Sequence, residues 1–79
     1  MIKVTFADKN EWVFVESDGQ WSIYINALIE FFVTSEELKK IKVGEEPPYL
    51  AASKLNWMGQ LSGGYRLTYP EKVVSITST

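Results

Sequence analysis

Apolar and polar residues alternate on both sides of Asp18-Gly19. Asp-Gly accepts the positive φ angles of a two-residue type I′ turn, whose twist matches that of the strands it joins. A two-residue loop also sets register. It pairs Ser17 with Gln20, Glu16 with Trp21, Val15 with Ser22, Phe14 with Ile23, Val13 with Tyr24 and Trp12 with Ile25. Side chains alternate between faces along a strand, so one face carries Trp12, Phe14, Trp21, Ile23 and Ile25. The other face, with Val13, Val15, Ser17, Gln20, Ser22 and Tyr24, is more polar. A helix starting behind Asp18 is the weaker alternative, because Trp21, Tyr24, Ile25, Leu28, Ile29 and Phe32 also fall at helical spacing.

Residues 2–7 form a further alternating run, with Ile2, Val4 and Phe6 on one face. Asp8-Lys9-Asn10 is a polar turn, so an antiparallel three-stranded meander is expected. Its apolar face needs a cover, and a helix over 27–33 supplies one. Asn26 is the expected N-cap, and Leu28, Phe31 and Phe32 form one helical stripe. The same run is short enough to serve as a fourth strand. Thr34 and Glu37 make a capping box for a second helix of about two turns, with Leu38 and Ile41 as its stripe and Gly44 as its stop.

Pro47 and Pro48 break the chain. From Tyr49 to Leu61 two patterns compete. One is a helix with Ala51, Leu55 and Met58 on one side; the other is a strand near 54–60 that turns at Ser62-Gly63-Gly64. Residues 65–69 and 73–77 then alternate around Pro70-Glu71-Lys72 as a hairpin. Both ends of the chain are strands, which lets them pair. The expected fold class is α+β: an N-terminal three-stranded antiparallel meander, one or two short central helices and a C-terminal β-hairpin. Trp12, Phe14, Trp21, Ile23 and Phe32 are its expected core.

The 79 residues allow one small domain, residues 1–79, without room for a second core. No apolar run reaches the length of a membrane helix, and no apolar stretch follows a basic start. Together these set a cytoplasmic protein without membrane attachment as the default. Net charge is −2 and uneven: residues 1–39 hold seven acids against three lysines. That half suits either a basic partner or an ordinary solvated surface.

The absence of Cys and His removes disulfides, thiolate zinc sites, Cys nucleophiles and His bases. The adjacent pairs Glu36-Glu37 and Glu45-Glu46 point in different directions and make poor two-carboxylate sites. Asp8, Asn10 and Glu11 lack the spacing of a calcium loop. Ser62-Gly63-Gly64 lacks the pattern of a phosphate loop. Ser53 has only its neighbour Lys54 as a base. An enzyme would need distant acids brought together, such as Glu11 or Glu16 with Glu71. No catalytic set, cofactor motif or metal site is therefore expected.

The most site-like feature is a set of interleaved aromatic and basic residues: Tyr49, Lys54, Trp57, Tyr65, Arg66, Tyr69 and Lys72. Such residues build a small second core, a protein hot spot, or a stacking platform for bases. The net negative charge disfavours nucleic acid. The expectation is a non-enzymatic protein-binding module that docks on a larger protein through Tyr49, Trp57, Tyr65, Arg66 and Tyr69. Size and acidity make it comparable to small inhibitors: a phage-encoded, anti-CRISPR-like blocker of host defence, or an immunity or antitoxin-like protein. The alternative is a binder of small ligands or single-stranded nucleic acid. A homodimer through a sheet edge is also open to such a chain.

Overall fold

A computed structural model describes residues 1–25 and 29–79. Among them the chain forms one seven-stranded antiparallel sheet in the order β6-β5-β4-β3-β2-β1-β7. The strands are β1 (Ile2–Phe6), β2 (Glu11–Ser17), β3 (Gln20–Ile25), β4 (Ile29–Val33), β5 (Leu50–Leu55), β6 (Leu61–Leu67) and β7 (Val73–Ser78). The one helix, α1, covers only Ser35–Leu38.

The N-terminal meander follows the sequence pattern. β2 and β3 pair from Val13–Tyr24 through Ser17–Gln20 in the register that the Asp-Gly turn dictates. Asp18 and Gly19 have φ of 53° and 79°, as a type I′ turn requires. β1 joins β2 with Ile2 opposite Phe14. In the β1–β2 turn Lys9 takes the left-handed conformation, with φ of 75°. β7 pairs with β1, so the two terminal strands do meet.

The α+β expectation is overturned: the protein is nearly all sheet. Residues 29–33 are a strand, not a helix. Asn26 and Leu28, the expected cap and part of the stripe, lie outside the described residues. Ile-Glu-Phe-Phe-Val is made of β-branched and aromatic residues apart from Glu30, which suits a pleated surface. As a strand it also satisfies the backbone groups that β3 would otherwise leave open. The change of period moves Phe32 out of the expected core. It pairs across from Ser22 and Ser53 on the outer face and is half-buried, while its neighbour Phe31 packs against the core. Trp21 is half-buried at the core margin, and Trp12, Phe14 and Ile23 are buried.

The expected two-turn helix is one turn long. Thr34 makes no side-chain capping bond. Glu37 binds Lys40 at 3.1 Å and accepts the Ala51 N–H at 3.3 Å instead of reaching back to residue 34. Between 49 and 61 the chain is neither the proposed helix nor a strand over 54–60. β5 ends at Leu55, residues 56–60 turn, and β6 begins at Leu61. The expected hairpin of 65–69 with 73–77 is absent. β6 pairs with β5 and β7 with β1, at opposite ends of the strand order.

A sheet with one apolar face and almost no helix can shield that face only by curling. One buried cluster joins Val4, Phe6 and Val73 from one end of the strand order to Leu50, Ala52 and Leu67 from the other. The end of α1 and the segment after it seal the gap: Leu38 packs on the cluster, and Ile41 and Pro47 are buried. Gly44 N–H donates to the Val73 carbonyl at 2.8 Å, and Val73 N–H donates to the Glu45 carbonyl at 2.9 Å. These bonds tie the segment leading into β5 to the start of β7.

Phe14→Ala is expected to destabilise the fold by about 3–5 kcal/mol, the usual cost of an emptied Phe site. Phe32→Ala, on the outer face, should cost clearly less. Urea unfolding of both variants checks the face assignment, and equal losses would contradict it.

Candidate interaction surface

The β5–β6 hairpin owes its geometry to Asn56. Asn56 N–H donates to the Gln60 carbonyl at 2.8 Å and closes a three-residue loop of Trp57, Met58 and Gly59. The Asn56 side-chain oxygen accepts the N–H groups of Met58 at 2.9 Å and Gln60 at 3.0 Å. Gly59, with φ of 77°, takes the left-handed position that such a loop needs. The turn therefore holds Trp57 and Met58 at its apex, away from any core.

The result is a concentration of exposed apolar side chains. Trp57 is 92% exposed, Met58 61%, Leu61 54% and Leu55 47%. Leu55 and Leu61 are direct cross-strand partners and so share a face. That face continues into an open cleft of about 320 Å³ bounded by Phe32, Thr34, Ser53, Leu61 and Gln20. β4 and β5 share a single bridge, Phe32–Ser53, and that bridge lies in the cleft. Among the described residues no ionisable side chain lines it, so they offer contact area and hydroxyl or amide hydrogen bonds.

The five residues expected to form the interface do not gather on one face. Arg66 lies over the Tyr49 ring, 5.0 Å from its centroid, and both are exposed. Tyr65, the next residue along β6, projects to the opposite face and packs edge-on against Phe31 at 5.4 Å. Lys54 sits over the same Phe31 ring at 5.9 Å. Trp57 occupies the hairpin apex. Tyr69 stands apart: it is half-buried, 4.3 Å from Phe6 and 6.1 Å from Trp12 between ring centroids.

The Tyr69 hydroxyl belongs to a polar network with the β1–β2 turn. It donates to the Asp8 carboxylate and accepts from Asn10 Nδ2 at 2.6 Å. Asn10 also donates to Asp8 from its backbone at 3.1 Å and from its side chain at 3.0 Å. The Tyr69 hydroxyl holds the Asp8 carboxyl below the usual carboxylate range, outweighing the opposing effect of partial desolvation, with help from Asn10. The same bond raises the Tyr69 hydroxyl above the usual tyrosine value. Beside the network lies a second cleft of about 270 Å³, bounded by Asn10, Glu11, Trp12 and Tyr69 among others. Glu11, the carboxylate among its described lining residues, faces Lys3 at 3.7 Å. Elsewhere, the Glu30 carboxylate, the cross-strand partner of Tyr24, raises the Tyr24 hydroxyl above the usual tyrosine value.

Among the described residues no group of three or more Asp and Glu could hold a metal ion, and no helix is long and apolar enough to cross a membrane. Leu55, Met58, Leu61 and Phe32 are the surface residues that the sequence pattern passed over. Asn56 followed three positions later by Gly59 was the available signal, since it marks a hairpin turn and places its flanking leucines opposite one another. No protein-family model, no curated protein and no solved structure matches this chain.

The pH dependence of the Tyr69 network has a definite sign. A carboxylate with a lowered folded pKa stabilises above its unfolded value, and that contribution fades as pH falls through the folded value. A tyrosine with a raised folded pKa stabilises below its unfolded value, near 10.0, and that contribution fades as pH rises through the folded value. The stability difference between the native chain and Tyr69→Phe should therefore be widest between about pH 4 and pH 10 and narrow on both sides. Urea midpoints across pH check this, and a pH-independent difference would refute the network. A separate expectation concerns Trp57: acrylamide should quench it readily and leave Trp12 protected, as single-tryptophan variants would report.

Proposed function

We propose that the chain is a non-enzymatic protein-binding module that seats the apex and outer face of its β5–β6 hairpin on a larger protein. One observation carries the reading: Trp57 is 92% exposed at the apex of an ordered turn, next to exposed Met58 and near the Leu55–Leu61 pair. A fully exposed indole does nothing for the fold. Trp is also the residue type that most often dominates protein interfaces. Around it lie exposed apolar side chains and a cleft without ionisable groups, the combination that excludes water from a contact.

Inhibition by occlusion is the role that fits a module of this size, which can block a partner's site without chemistry of its own. A nucleic-acid track is the weaker reading. Lys54 and Arg66 are separated onto different faces, each against an aromatic ring, and the chain is net negative.

The test is affinity capture with the native chain and with Trp57→Ala in parallel, each with and without nuclease. A protein bound stoichiometrically and nuclease-resistantly by the native chain is expected. Trp57→Ala should weaken it by about 2 kcal/mol or more, roughly thirtyfold in Kd, while the variant's own stability stays within about 0.5 kcal/mol of native. A partner held equally by both chains would place the contact elsewhere. Recovery of nucleic acid alone would favour the ligand-binding alternative.

A further inference from the structure

We propose that the outer edge of β7 is a self-association edge, where two copies of this chain pair antiparallel about a two-fold axis at Ile76. The backbone directions follow from the β1–β7 ladder. The Met1 ammonium donates to the Thr79 carbonyl and Thr79 N–H donates to the Met1 carbonyl, each at 2.9 Å, so these residues form a hydrogen-bonded pair. The register runs unbroken through Ile2–Ser78, Lys3–Thr77, Val4–Ile76 and Thr5–Ser75. Hydrogen-bonded and non-bonded pairs alternate in an antiparallel ladder. Thr77 and Ser75 therefore face β1, whereas Ile76 and Ser78 aim their N–H and C=O groups outward.

Along that outward side the described residues satisfy only Val73, through Gly44 and Glu45. From Val74 to Ser78 no described residue pairs with the edge. It carries no charge, no proline and no glycine, and three of its five residues are β-branched. Natural edge strands are usually blunted by Lys, Pro or bulges. The opposite edge, β6, is blunted in this way: it has Gly63 and Gly64, a register irregularity against β5, and Arg66. The irregularity in β7 falls at its first residues, where the Gly44–Glu45 segment already covers it.

A second copy fits this edge better than an unrelated strand does. Nothing charged selects a foreign partner, and an antiparallel edge is complementary to itself. An axis at Ile76 lets this residue exchange both backbone bonds with the same residue of the second copy. It also covers two exposed side chains, Val74 at 51% and Ile76 at 39%. Ile76 stands opposite Val4 and so on the core face, which the paired sheets would continue. A contact of about five residues is smaller than a stable interface requires, so association is weak and concentration-dependent.

Sedimentation equilibrium across roughly a hundredfold concentration range tests this. The native mass should climb from 9.0 kDa toward twice that value. Ile76→Lys should stay monomeric with an unchanged circular dichroism spectrum, and Trp57→Ala should dimerise like the native chain. Independently of any variant, the Ile76 and Ser78 amides should gain hydrogen-exchange protection as concentration rises. A native mass fixed at 9.0 kDa, or dimerisation retained by folded Ile76→Lys, would overturn the proposal. Dimerisation lost in Trp57→Ala would overturn it too, by moving the contact to the hairpin. None of these outcomes depends on whether the hairpin binds a larger protein.

Discussion

Phe14 and Ile23 face each other across β2 and β3 with no exposure at all, at the centre of a face that no second layer of the described residues covers. That face governs everything else in the molecule. A sheet that is apolar on one side and has a single turn of helix must become its own lid. Curling brings Leu50 and Leu67 to the same cluster as Phe6 and Val73, although their strands lie far apart in the strand order. The bonds from Gly44 and Glu45 to Val73 then hold the closure where the strands themselves do not pair. Aromatic residues make this feasible in a short chain, since Phe6, Trp12, Phe14 and Tyr69 fill much of one end with few side chains.

The same curl accounts for what is left outside. Strands that enclose the core cannot also enclose the turn that joins β5 to β6, so the apex projects. Most hairpin turns end in small or polar residues. This one keeps the turn-forming residues, Asn56 and Gly59, and places Trp57 and Met58 between them. Turn chemistry thus fixes the shape of the apex without using its two large side chains, which leaves them free for contact. The aromatic residues of β5 and β6 divide between faces because neighbours in a strand point opposite ways. Tyr65 supports Phe31, and Tyr69 is committed to Phe6, Asp8 and Asn10.

Incomplete closure also leaves two edges, and the chain treats them differently. β6 is interrupted by glycine and guarded by Arg66, whereas β7 is a plain run of Val, Ser, Ile and Thr. The hairpin apex and the β7 edge are separate surfaces with different physics. The first offers large apolar side chains, and the second offers unpaired backbone.

What could be learned from sequence depended on the range of the interaction involved. The β2–β3 register was fully legible, because Asp18-Gly19 admits one loop geometry and a one-residue slip would move Trp12, Phe14 and Ile23 to the wrong face. The meander and the buried trio follow from equally local rules. The run at 29–33 was not legible, since five apolar-rich residues satisfy a helix and a strand alike, and the open edge of β3 decided between them. The same holds for 49–61, where Asn56 and Gly59 carried a turn signal that the helical spacing of Ala51, Leu55 and Met58 obscured. As for the candidate surface, its residue types were visible in sequence, but their grouping was not. By itself the sequence determined strand register, turn type and the absence of thiol and imidazole chemistry, all consequences of single residues and their neighbours. Tertiary structure alone decided that β6 and β7 would become opposite edges and that Trp57 would stand in water, because both follow from how the sheet closes over its one apolar face.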